Sequence, residues 1–524
     1  MAAPRPWTPP DLLIVAALAA GGVGMAGVFF DTAWHRTIGR DSFFVLPHLF
    51  IYLGGLGIWT ASLLAIAHAS RGGGRAFGGP ILRWGRARVP FGFGLAILGV
   101  LTVGAAAPVD VWWHWMYGKD ALIWSFSHLM GHFGAGITAI GLLFVVAAQR
   151  GRGWFGRPAP WRVALLLVFM DLVHRGLFVQ AHYTMIPESR TPDFYPFLSA
   201  LLLPMVLVAA TRLLGPWAAP AAATMFLGLA LLADGVLRMI DFERYTVTPL
   251  VVIPALAVTT VLLAVGGRRD RAWVAMTAGL AFALVFTAVE TLWMAGIVGR
   301  PWPLGRVLSG LPRSLAAGAL SGWVGWVLGG FLRAASTADG VAPVFGSLAR
   351  ARAAAGAALL LAGMGFASTY QPQRFGSAMT PEELRLEPLP TLRYQEALFW
   401  EVLFQDDWWR EERLEARSEG IIDGAPLPVG PAWCAASAGA LTRDLARVRF
   451  GLSVNGAAVD LAAYPTVRVR MRDGAHCAWV AVASRFQRAS ENRFTYTLEV
   501  APADGTGGTP TRTRVDMLVV FKDP

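Results

Sequence analysis

Two stretches of the chain set carboxylates and imidazoles at ligand spacing. In DTAWHRTIGRDSFFVLPH (31–48), His35 lies four residues after Asp31, and His48 follows thirteen residues later. In DVWWHWMYGKDALIWSFSH (110–128), Asp110, His114 and His128 repeat the plan with spacings of four and fourteen. Residues four apart share a helix face, with Cβ atoms about 6 Å apart. That separation suits two donors on one ion, and a His opening the next helix after a short turn folds back onto the same ion. Two imidazoles and one carboxylate form a transition-metal set: non-haem iron(II) uses it with open positions, and imidazole also suits copper and zinc. The competing reading is a row of solvated side chains at a membrane surface. A second copy at matching spacing weighs against it.

Other residues are candidates around these sets. His132, one turn after His128, reads as a fourth ligand, a supporting partner or a packing residue. Asp171, His174 and His182 fit a third set less well, with spacings of three and eight. Arg40, Asp41, Lys119 and Asp120 are charged groups suited to orienting ligands or handling protons. His68 reads as interfacial and His476 as structural. Trp34, Trp112, Trp113 and Trp124 read as an aromatic belt at headgroup level.

The elements that must position these groups are membrane helices. Of 524 residues, 55% are hydrophobic and only 15% charged, and the mean hydropathy is +0.50. Soluble domains carry roughly 25% charge. Apolar runs long enough to span appear near 11–30, 48–70, 89–109, 126–148, 163–182, 194–213, 217–240, 247–266, 273–298, 314–334 and 352–369, which predicts about eleven transmembrane helices. The first run has small residues suited to signal cleavage, but its length and the Asp/His segment after it favour a retained span.

The net charge of +11 sits in short Arg-rich loops and needs no nucleic acid. Arg71, Arg75, Arg83, Arg86 and Arg88 follow the second run, Arg150, Arg152, Arg157 and Arg162 the fourth, and Arg268, Arg269 and Arg271 the eighth. The positive-inside rule then puts the N-terminus in the cytoplasm of a bacterial-type inner or plasma membrane. Arg300, Arg306 and Arg313 fall on the outer side as an exception. The Asp/His sets share that outer side with Asp171, Asp234, Asp241 and Glu290. Asp31, Asp110, Asp171, Asp234 and Glu290 each end the first helix of a hairpin, which reads as a degenerate internal repeat.

Composition changes near residue 370. The expected division is a transmembrane helical domain over 1–369, with the metal-motif hairpins in 11–150, and an extracytoplasmic domain over 370–524. Residues 391–420 read as an amphipathic helix with a Thr cap and a Gly stop. GLSVNG, TVRVRMRDG, AWVAVASRF, FTYTLEV and TRVDMLVVF read as strands separated by Gly and Asp turns. Cys434 and Cys477 are too few for a disulfide framework, but one bond between them suits an oxidising compartment.

The first motif resembles that of the copper membrane monooxygenases, the particulate methane and ammonia monooxygenases. Their C subunit carries Asp-x3-His-x12-His, typically with Trp before the first His, an Arg-Asp pair between, and Pro before the second. Asp31, Trp34, His35, Arg40, Asp41, Pro47 and His48 stand at those positions. A second set in that subunit, Asn-x3-His-x13-His, is matched by Asp110, His114 and His128, with Asp in place of Asn. The resemblance covers residues 11–150. It implies copper held by His35, His48, His114 and His128 with Asp31 and Asp110 as acidic members, and O2-dependent oxidation of a small apolar substrate arriving through the bilayer. It also implies further subunits or a homo-oligomer. The alternative class is a non-catalytic membrane protein that binds or passes metal, or a scaffold, with an outer domain that recruits a partner; proton transport along the buried acids is a third.

Overall fold

Thr8 and Asp11 open the first helix. The Asp11 carboxylate accepts from the Thr8 backbone N–H (2.9 Å) and hydroxyl (2.6 Å), satisfying a donor that a helix start otherwise leaves without a partner. In this computed structural model the described residues are 7–37, 44–117, 126–152, 157–178, 190–242, 250–266, 270–299, 301–337, 379, 384–388, 413–421, 427–470, 475–484, 490–502 and 511–522. The first ten helices are α1 (Pro9–Thr37), α2 (Leu46–Ser70), α3 (Phe91–Tyr117), α4 (Phe126–Ala147), α5 (Pro158–Phe178), α6 (Tyr195–Leu214), α7 (Ala218–Met239), α8 (Val252–Ala264), α9 (Ala272–Trp293) and α10 (Leu304–Thr337). A hairpin of β1 (Ile81–Trp84) and β2 (Ala87–Pro90) joins α2 to α3.

Among the described residues, eight helices are long and apolar enough to cross a membrane: all of these except α5 and α8. The expected span at 163–182 is a helix carrying Arg162, Asp171 and Arg175, and that at 247–266 contains a helix of only 13 residues. The expected span at 352–369 lies outside the described residues. Helices pack chiefly as neighbouring hairpins, α1 on α2 and α3 on α4, while α10 packs on both α6 and α9.

Small residues let these backbones close, as is general where lipid leaves no hydrophobic drive between helices. A Cβ on Gly27 of α1 would lie 2.8 Å from the Ile51 backbone nitrogen of α2. One on Gly134 of α4 would lie 2.8 Å from both Gly99 O and Val103 N of α3. Beside Pro204 in α6, the Met205 N–H donates to the Ser321 hydroxyl of α10 at 2.8 Å. A neighbouring side chain thus serves backbone at a proline in a helix interior.

The C-terminal region is β-rich. Its main sheet has five strands in the order β4 (Arg413–Ile421), β13 (Thr511–Lys522), β12 (Ser490–Val500), β7 (Val448–Val454) and β8 (Ala457–Val459), antiparallel except for β4 beside β13. Alternate residues of β12, Phe494, Tyr496 and Leu498, are buried. Phe494 and Tyr496 share a core with Leu452, Val515 and Met517, as a half-buried strand requires. Two three-stranded sheets complete the fold: β3 (Leu386–Pro388), β11 (Val482–Ser484) and β5 (Leu427–Pro428), and β6 (Ala432–Ala435), β10 (His476–Val480) and β9 (Thr466–Arg470). Helix α11 (Ala438–Leu445) packs beside β6. Cys434 and Cys477 face each other across β6 and β10 and are disulfide-bonded.

One expectation is corrected here. Residues 413–420 are not the end of an amphipathic helix but part of β4, running parallel to β13. In RLEARSEGI the charges fall on every second residue, Arg413, Glu415, Arg417 and Glu419. That is a strand period, and pairing with β13 selects it over the residues' good helix propensity. Residues 391–412 of the expected helix lie outside the described residues.

Candidate metal centre

Each motif is folded by a helical hairpin whose tight crossing brings its ends together. Asp31 lies one turn beyond Gly27 on α1, and His48 is near the start of α2, just after the Pro47 that suits a first helical turn. The His48 Nε2 lies 3.2 Å from the Asp31 Oδ1, with both side chains largely buried. Helices α3 and α4 repeat the arrangement: the His128 Nε2 lies 3.7 Å from the Asp110 Oδ1, with both side chains more open, at 37% and 29% exposure. The acid and the distal His of each set are therefore brought together across a turn in both copies.

His35 and His114 sit in α1 and α3, one turn beyond their acids; their side chains, with Arg40, Asp41, Lys119, Asp120 and His182, lie outside the described residues. Among the described residues no group of three or more His, Cys, Asp or Glu side chains is assembled. What is assembled fits two donors of one ion. Donors bonded at about 2.0–2.2 Å around a tetrahedral ion lie about 3.3–3.6 Å apart, close to both separations.

The surroundings are aromatic. Phe30 packs edge-on against Trp34, Phe50 and Phe242 beside Asp31. His132 does not join the Asp110–His128 pair; its ring meets Phe178 edge-on at 5.0 Å, and its buried Nε2 has no hydrogen-bond partner among the described residues. His174 is 3% exposed and stacks on Phe29 at 4.7 Å, and neither ring nitrogen has a hydrogen-bond partner among the described residues. Trp112 is exposed.

Of the third set, the described members Asp171 and His174 turn to different partners. Asp171 turns to Arg175, four residues on, with Nε to Oδ2 at 2.8 Å, while His174 enters the aromatic layer. Arg238 pairs with Asp234 across the same spacing. Glu290 pairs with Arg190 at 2.9 Å, and both side chains are buried. Each of the five repeat acids thus has a basic partner. Arg175 and Arg238 were legible as Asp-x3-Arg in place of Asp-x3-His; Arg190, 100 residues from Glu290, carried no local signal. Arg306 and Arg313, expected on the outer side from the charge rule, converge on Asp193 at 3.3 and 3.7 Å, so each has an acidic partner.

Comparison of the chain with protein-family models, with curated proteins and with solved structures gives no match.

Proposed function

We propose that this is a membrane metalloprotein that holds a transition-metal ion at each of the two Asp/His hairpins, with copper the first choice and iron or zinc the alternatives. The carrying observation is the recurrence of the acid–His closure, Asp31 with His48 and Asp110 with His128. His35 and His114, four residues after their acids in sequence, would complete the two sets. The resemblance of residues 11–150 to copper membrane monooxygenases extends this to O2-dependent oxidation of a small apolar substrate entering from lipid. Bound copper would supply the redox chemistry, with one oxygen atom entering the substrate and the other leaving as water on uptake of two electrons from an external reductant and two protons. The chain's own contribution is to orient donors, Asp31 with His48 in one hairpin and Asp110 with His128 in the other. Further subunits or a second copy of the chain would complete such an enzyme in the membrane.

The deciding experiment is metal analysis of the purified protein with Cu(II) spectroscopy. One equivalent should be lost in His48→Ala and another in His128→Ala, and none in His68→Ala. Full retention in both motif variants sinks the reading. A second reading rests on the pairing of all five repeat acids with basic side chains: a non-catalytic metal-binding, transport or scaffold protein. Metal bound without spectroscopic change on exposure to O2 and reductant would favour it.

A further inference from the structure

The β1–β2 hairpin stands at the opposite end of α2 from His48. Its turn is Trp84-Gly85-Arg86-Ala87, with Gly85 at φ +57° and Trp84 opposite Ala87. Gly is the residue that adopts this backbone without steric cost. The hairpin is tied to both adjoining helices: Arg88 N–H donates to the Ser70 hydroxyl at the end of α2, and Phe91 N–H at the start of α3 donates to Pro80 O, each at 2.9 Å. The short connection is therefore built, not loose.

Its surface composition is unusual. Trp84 is 84% exposed, and Leu82 is exposed beside it. Arg71, Arg83, Arg86 and Arg88 are exposed, and residues 71–90 contain no acid. Among the described residues Arg83, Arg86 and Arg88 form no ion pair. Arg152 of the α4–α5 loop lies against Gly78 at the hairpin base and adds to the same charge. None of these residues is near the Asp/His pairs.

We propose that this hairpin is a binding site for anionic phospholipid headgroups of the bilayer that α2 and α3 cross. A four-residue strand is about 13 Å long, so the tip stays within about that distance of two membrane-helix ends. The headgroup layer on each side of the hydrocarbon is about 5–8 Å deep, and the hairpin lies in or against it. Exposed Trp belongs at that depth, and Arg forks match phosphate oxygens through bidentate hydrogen bonds. An acidic protein would meet the same charge but gives no role to an exposed Trp beside a membrane-helix end.

The test uses the full chain in nonionic detergent, with phosphatidylglycerol or phosphatidylcholine added and bound lipids counted by native mass spectrometry. Wild type should retain phosphatidylglycerol preferentially. The Arg83→Ala/Arg86→Ala/Arg88→Ala variant should lose that preference by about a hundred-fold in affinity, from the usual increment per basic residue near an anionic surface. These side chains are exposed, and unchanged thermal unfolding checks the fold. Unchanged lipid preference in the variant overturns the proposal, as does equal competition by soluble glycerophosphoglycerol, which would mean a free-phosphate site. Because Cys434 and Cys477 are paired, Trp84→Cys offers a single thiol for a spin label. In phosphatidylglycerol-containing nanodiscs its depth should be at the headgroups, and a label fully in water also overturns the proposal.

Discussion

Arg175 closes on Asp171 at 2.8 Å from the position, four residues on, that His35 and His114 hold after Asp31 and Asp110. A guanidinium is a fixed cation with donors that match a carboxylate. At this step of the repeat the acid's charge is met from within the chain, and a metal ion is not needed to meet it. Asp171→Asn should leave the bound metal unchanged, while Asp31→Ala and Asp110→Ala should each lower it. Asp110→Asn should be the mildest change at the motifs, because the amide keeps an oxygen donor. Elemental analysis of the four proteins decides; metal loss in Asp171→Asn would restore a third site.

The crossing at Gly27 makes a sharper demand. Any side chain there meets the Ile51 nitrogen and the Phe50 Cβ within 3 Å, and backbone cannot yield as a side-chain tip can. Gly27→Val should push α1 from α2, separate Asp31 from His48, and lose the first metal while leaving the His128 site loaded. Gly104→Val, where a Cβ would meet nothing within 4 Å, is the control. Equal metal content in both variants would break the link between helix approach and ligand closure.

Arg190 and Glu290 test burial of charge away from the motifs. Removing one member of such a pair leaves the other uncompensated, at a cost of about 3–5 kcal/mol, whereas replacing both with apolar residues of similar volume is often neutral. Arg190→Met and Glu290→Leu should each strongly lower the unfolding midpoint in detergent, and the double variant should recover much of the loss. A double variant as unstable as the sum of the singles would argue that the carboxylate and guanidinium have separate essential partners.

What the sequence made legible follows the range of each interaction. The Asp31/His48 and Asp110/His128 pairs were readable because both partners lie in one hairpin. The β12 and β13 strands were readable from alternation. The Arg190–Glu290 contact joins distant segments, and nothing local marks it. β4 was misread because Glu, Arg, Leu and Ala favour helix locally, while its parallel partner β13 lies about a hundred residues away. The run at 247–266 reads as longer than α8, a helix of 13 residues, because apolar residues flank the helix on both sides. His174 fits the ligand spacing poorly, and its placement against Phe29 depends on how α1 and α5 meet.

Asp516 in β13 gives the β-rich region an acid-sensitive point. Burial pushes its carboxyl upward, but the Thr495 hydroxyl at 2.7 Å and the Arg514 guanidinium at 3.0 Å outweigh this and hold it below the ordinary value. A depressed carboxyl contributes stability above its unfolded value, about 3.9, and that contribution is lost as pH falls through the folded value. Stability of this region should therefore decline below about pH 4, with a shallower decline in Asp516→Asn. Parallel pH profiles for the two proteins would remove Asp516 from the account.

Topology turns on parity. The paired Cys434 and Cys477 suit an oxidising compartment, and the Arg loops after α2 and α4 suit the cytoplasm. An N-terminus in the cytoplasm and a β-rich region outside it, the placement we propose, would require an odd number of crossings between them. Helices α1–α10 supply ten if each crosses, and the eleventh run expected from the sequence, 352–369, lies outside the described residues. The weak members are α8, which at 13 residues is about 20 Å long against about 30 Å of hydrocarbon, and α5 with its three charges. In α5, Asp171 and Arg175 neutralise each other, and Leu165, Val168, Phe169 and Val173 are buried, so it can cross inside the bundle. For α8 the apolar residues on either side must extend the crossing. A reporter fused after Thr337 should be cytoplasmic, and one fused after Pro524 extracytoplasmic. A reporter that is extracytoplasmic after Thr337 would mean that one of α5 and α8 does not cross. The outer placement of the β-rich region would then need 352–369 to stay on one side of the membrane.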